Sequence, residues 1–172
     1  MPKDGANIAS TSVALPHSEF VENAHFNTVC TRVQFAADQC PAGSVYGSAV
    51  AKTPLLDEPL RGPVYLRSST HALPDLVVAL EGPPSLPIQI DLAGRVDSVN
   101  GGLRTTFAST PDAPVSQFTL NMLGGNKGLI VNSTNLCRGV HRATAKFQGQ
   151  NGLAAILRPA LRVSCKTARS RR

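Results

Sequence analysis

The stretch Ile88–Ser109, IQIDLAGRVDSVNGGLRTTFAS, decides the fold. Ile88, Ile90 and Leu92 alternate with Gln89, Asp91 and Ala93, the two-residue period of a strand with one apolar and one wet face. Gly94 interrupts the alternation and predicts a bulge. Asn100-Gly101-Gly102 offers residues that accept positive φ, as tight hairpin loops demand. Leu103–Ser109 then returns as a second strand, favoured by Thr105, Thr106 and Phe107. The return strand alternates less well, but one buried face explains the alternating residues and backbone geometry explains the turn. It is scaffold.

Similar punctuation runs outward in both directions. Upstream, Asp75–Glu81, Val64–Ser69 and Ser44–Ala51 read as strands, and Thr28–Phe35 joins them through its β-branched and aromatic content. The loop Thr53–Pro63 and the break Gly82–Pro87 carry three prolines each, which suits turns and not central strands. Downstream, Val115–Leu123, Leu129–Val131, Val140–Gln148, Leu153–Arg158 and Leu161–Cys165 follow, with Gln150-Asn-Gly152 as a second hairpin turn. Near the N-terminus, Ser18 caps a short predicted helix through Ala24, with Glu19 and Glu22 near its positive end. Residues 1–12 are small and polar and are expected to be loose, and 166–172 form a basic flexible tail. Residues 13–165 are then one all-β domain, mainly antiparallel, a β-sandwich or flattened barrel with a single short N-terminal helix.

The length of 172 residues allows one real core, and the longest apolar runs are strand-sized, so no membrane span is expected. Basic residues number 17 against 11 acidic ones, but Lys166, Arg169, Arg171 and Arg172 lie in the last seven positions. The basic character is mostly a tail. Arginines elsewhere are scattered among acids and lack the interleaved aromatics of a nucleic-acid stripe, so no nucleic-acid partner is expected.

Cys30, Cys40, Cys137 and Cys165 are an even set with three possible connectivities. Cys30–Cys40 with Cys137–Cys165 is the preferred pairing, because each bridge then closes within its own supersecondary unit. No Cys-x-x-Cys occurs and the four histidines do not stand in ligand spacing with the cysteines, so no metal is expected. Disulfides point to an oxidising compartment. Met1-Pro-Lys-Asp-Gly lacks an apolar signal core, which fits a piece cut from a longer secreted precursor; an intracellular protein with four free thiols is the alternative.

Patterns that carry chemistry elsewhere are weak here. Asn132-Ser-Thr134 is a glycosylation acceptor tripeptide that also serves as a polar loop. Cys137 and His141 form no nucleophile–base pair if the thiol is bridged. Asp91 and Asp97, six residues apart on one strand, stand ~20 Å apart, too far for a two-carboxylate glycosidase site. Gly124-Gly-Asn-Lys-Gly128 lacks the ending and the helix of a phosphate loop. With no Trp and only Tyr46 and Tyr65, an aromatic sugar platform is also unsupported. No catalytic, cofactor-binding or metal residue is nominated.

Six further stretches bear on kinship: Leu15–Phe20, Val29–Ala37, Cys40–Gly47, Thr53–Leu60, Gly62–Ser69 and Val131–Cys137. They resemble a module of long, uncharacterised secreted or surface proteins of actinobacteria, over roughly residues 13–165. That resemblance implies an extracellular or cell-surface location and origin within a larger chain, and it brings no catalytic residues. The expected function is a non-enzymatic binding or assembly module. Its partner is a protein or a second copy, met through strand edges and through the loops Thr53–Pro63, Ser68–Pro74 and Gly82–Pro87. The alternative is a hydrolase with a dispersed polar site on the same scaffold.

Overall fold

The computed structural model describes residues 5–99 and 101–165. Residues 1–4, Asn100 and the basic tail 166–172 lie outside it, and so do the expectations that fall on them. The described chain is mostly antiparallel β. Nine strands make one curled sheet in the order β11-β10-β1-β7-β6-β5-β4-β3-β8, and β2 and β9 make a two-stranded sheet. The large sheet comprises β1 (Ile8–Ala14), β3 (Val45–Lys52), β4 (Leu60–Arg67), β5 (Asp75–Glu81), β6 (Gln89–Val99), β7 (Gly102–Phe107), β8 (Gln117–Met122), β10 (Thr144–Gly149) and β11 (Ala154–Leu157). The small one joins β2 (Glu19–Val21) to β9 (Ile130–Asn132).

The opening hairpin is present as β6 and β7, and alternation along β6 holds from Gln89 to Val96: exposed Gln89, Asp91, Ala93 and Arg95 interleave with more buried Ile90, Leu92, Gly94 and Val96, and the pattern breaks beyond them, where Ser98 is exposed. Gly94 marks no bulge. Its register is regular on both sides, opposite Leu76 and Phe107, and the Phe107 ring fills the place of the missing side chain, 2.8 Å from where a Cβ would stand. At the turn Gly101 uses its freedom, with φ at +75°.

Strands β3 to β7 form a meander, each paired with the next, and their shared face builds the core. Ala49, Leu60, Val64, Leu66, Leu76, Val78, Leu80, Val96, Leu103 and Phe107 pack there, with Val21, Phe26, Val29 and Leu129 closing over them. β5 is buried along six of its seven residues, Val77 and Ala79 on the opposite face included. At about 25 cal/mol per Å² of apolar surface removed from water, this central run is the main stabilising mass of the sheet. Tyr46, the extra residue at a bulge in β3, sinks into the same core. Its hydroxyl donates to His25 O at 2.7 Å and accepts from Asn27 N at 3.1 Å, so the buried polar atom is satisfied and the segment after β2 is held down.

Several other expectations need correction. Residues 8–12, expected to be loose, belong to β1, which lies inside the sheet with β7 on one side and β10 on the other. The short helix expected around Ser18–Ala24 is instead β2 followed by a 3-10 turn at Asn23–His25. The α-helix of the described chain is α1 (Arg32–Ala36), most of it in the stretch 28–35 expected as a strand. Thr31 caps it, accepting from Gln34 N while the Gln34 side chain accepts from Thr31 N, and this reciprocal cap outweighs the β-branched residues nearby. Strand β4 also begins three residues before Pro63, inside a stretch expected as loop. Pairing with β5 is interrupted at Gly62 and Pro63, where the proline has no N–H to give. A Cβ on Gly62 would collide with Ala79 O, so only glycine permits this close approach of the backbones.

The disulfides are Cys30–Cys40 and Cys137–Cys165, with Cα atoms 5.2 and 5.9 Å apart. Cys30 extends β4's neighbourhood: its N–H donates to Leu66 O, and its carbonyl accepts from Ser68 N. The expected strand Leu161–Cys165 is reduced to a bridge between Arg142 and Ala160 and one bond from Leu161 N to His141 O.

Candidate functional site

The nine-stranded sheet has two open edges, β8 and β11. β11 is the more unusual. Its four residues, Ala154-Ala-Ile-Leu157, are all exposed, with Ile156 and Leu157 at 59% and 56%, and the strand contains neither charge nor proline. Natural sheets usually blunt such an edge with lysine, proline or a bulge.

The register shows which backbone groups are free. Gly149 N donates to Leu153 O and Ala143 N to Pro159 O, so odd-numbered residues of this strand bond toward β10. The N–H and C=O groups of Ala154 and Ile156 therefore point away from the sheet, as the alternation of an antiparallel ladder requires. Two devices hold the edge in place. Asn151 Oδ1 accepts from Leu153 N in the tight turn, where Gly152 has φ of +79°. At the far end, the β10–β11 register continued outward brings Cys137 opposite Cys165, and the disulfide closes the hairpin there.

The three loops nominated from the sequence do not form one surface. In the meander, 53–59 and 82–88 lie at one end of the strands and Ser68–Pro74 at the other. Ser68–Pro74 is internally tied: Ser69 Oγ donates to His71 O or Leu73 O, and Asp75 is bound by His71 Nε2 at 2.8 Å and Arg67 at 3.4 Å. The Gly82–Pro87 break is closed by Gly82 N donating to Ile88 O.

The other sequence candidates resolve into structure. Cys137 is bridged, and His141 lies against Arg138 O and Ser18 Oγ at 3.0 and 3.5 Å. Asp97 accepts from Arg95 Nε at 3.0 Å to each oxygen; that bond holds its carboxyl below the usual range, while Asp91 is exposed on the same strand with no such partner. Lys127 of the glycine-rich turn donates to Gly43 O and Val45 O at 2.9 and 2.7 Å and lies over the Tyr46 ring, a tie between loop and core. Asn132 ends the exposed strand β9. Glu19, expected at the positive end of a helix, is instead buried at 6% exposure in β2; desolvation raises its pKa, and nearby His141 partly opposes this.

Among the described residues there is no group of three His, Cys, Asp or Glu arranged to hold a metal ion, and no helix is long and apolar enough to cross a membrane. Two closed disulfides fit a non-cytoplasmic, oxidising compartment. Comparisons with protein-family models, curated proteins and solved structures find no match.

Proposed function

We propose that this chain is a non-enzymatic assembly module of the cell exterior, which docks by strand addition at β11. The observation that carries this reading is the exposed, uncharged, apolar edge strand with its Ala154 and Ile156 backbone groups directed outward. Main-chain bonds supply affinity in such docking, and alternate side chains supply selectivity. A second copy is the partner this edge fits. Antiparallel pairing about a two-fold axis at Ala155 sets Ala154 opposite Ile156 of the other copy and the reverse, so the free groups answer each other. As a scaffold, the curled sheet reads as a flattened, unclosed barrel, because all nine strands belong to one continuous sheet.

Ile156→Pro tests the proposal. It removes an outward N–H while sparing the bonds to β10. Sedimentation across a concentration series is expected to show a dimer for the native chain and a monomer for the variant, with melting temperatures close together. A native chain that stays monomeric at every concentration, or a variant that associates as the native chain does, overturns the reading.

A further inference from the structure

Register places polar side chains of β1, β7 and β10 on one face of the sheet. Ser12 stands opposite Thr106 and Lys146, and Ala14 opposite Arg104 and Thr144. Neighbouring Leu103 and Phe107 belong to the core on the other side. Over the polar face runs a half-open groove of about 530 Å³, whose polar lining is Ser12, His17, Arg104, Thr106, Thr144 and Lys146. It contains three hydroxyls, two fixed cations and an imidazole. No carboxylate and no Phe or Tyr side chain lines it.

The cations there are poorly neutralised. Lys146 makes no ion pair among the described residues. Arg104 has Asp97 at 3.8 Å, but that carboxylate is already chelated by Arg95. Arg104 Nε is buried without an acceptor. An unpaired buried donor costs about 1–3 kcal/mol, so the groove lacks an anion and not a cation. Ser12 and Thr106 bond each other at 3.1 Å, which leaves further hydroxyl capacity facing the same space. A lone oxyanion fills only part of this volume, which falls in the usual range of small-molecule sites, roughly 300–1,000 Å³.

From this juxtaposition of Arg104 and Lys146 with three hydroxyls in a carboxylate-free groove, we infer a binding site for a phosphate- or sulfate-bearing polar molecule. The oxyanion sits between Arg104 and Lys146 in charge-assisted hydrogen bonds. The hydroxyls of Ser12, Thr106 and Thr144 take the polar body. The site is independent of strand addition at β11, and a monomeric chain would leave it intact.

Calorimetric titration at low ionic strength tests it with four probes: inorganic phosphate, inorganic sulfate, glucose 6-phosphate and glucose. The two inorganic ions are expected to bind weakly, glucose 6-phosphate about tenfold more tightly, and glucose not at all. Arg104→Gln and Lys146→Gln should each weaken glucose 6-phosphate about tenfold, the loss of one charge-assisted contact worth about 1.4 kcal/mol. Lys52→Gln, at the exposed end of β3 and outside the groove, should leave affinity unchanged. Thermal melts of each variant verify folding. Failure of every charged probe to bind, or undiminished binding by both groove variants, overturns the site. Glucose binding as tightly as its phosphate overturns the role of charge, and inorganic phosphate matching glucose 6-phosphate overturns the polar body.

Discussion

Strands β5 and β11 have similar composition and opposite fates. Asp75-Leu-Val-Val-Ala-Leu-Glu81 and Ala154-Ala-Ile-Leu157 are both short apolar runs, yet the first is buried along six of seven residues and the second is exposed along all four. Apolar content makes a strand; its place in the sheet order decides whether the strand is core. β5 has β4 and β6 as neighbours, whereas β11 has β10 alone. The same residue types therefore serve cohesion at the centre and contact at the rim.

The largest effect that sharpens this contrast is a matched truncation. Leu80→Ala is expected to cost about 2–5 kcal/mol, as for large-to-small changes in a packed core, and Ile156→Ala about 0.5 kcal/mol or less, as for exposed positions. Urea unfolding of the two variants measures both, and equal losses would break the comparison. Next comes the staple at the rim. Cys137→Ser with Cys165→Ser opens a loop spanning 28 residues of sequence separation, and chain-entropy arguments put the loss at about 3–4 kcal/mol. Proteolysis should then nick the arm after β11 first, while the core strands stay resistant.

A smaller effect is expected at Gly94. An added methyl there meets the Phe107 ring at 2.8 Å, so Gly94→Ala should destabilise by about 1–3 kcal/mol through overpacking. Gly124→Ala, with open space around its Cβ, should differ little from the native chain in the same melt.

The smallest effects concern pH. Glu19 has a raised folded pKa, so its stability contribution is present below its ordinary value of 4.5 and is lost as pH rises through the folded value. Glu19→Gln should flatten that slope in a series of melts. Asp97, held low by Arg95, acts in the other sense: its contribution is present above its ordinary value and is lost only as pH falls through the depressed one. Asp97→Asn should remove that acid-side loss.

Much of this contrast is invisible in the sequence. The β6–β7 hairpin, β5 and both disulfide pairings could be read because each is local: alternation, turn residues and short spacing all lie within a few tens of residues. Strand β1 could not. Ile8-Ala-Ser-Thr-Ser-Val-Ala14 lacks a strong apolar face, and its residues are only partly buried, so ladders on both sides hold it more than side-chain packing does. The capping box at Thr31 and Gln34 was present but masked by Val29, Val33 and Phe35, which favour strands. Strand order has no local signature at all, so whether β11 is core or rim is open until its neighbours are known. The groove likewise draws on residues from 12 to 146, and no spacing rule gathers them.

The position of β1 has a consequence for how the molecule comes into being. Thr11 and Lys146, hydrogen-bonded in the finished sheet, are 135 residues apart in the chain. A ribosome releases Thr11 135 residues ahead of Lys146, so β1 must wait with one flank unclaimed while the meander between them is made. Such long-range closure is slow and leaves sticky backbone uncovered meanwhile. Helper proteins that shield emerging chains would matter during that interval.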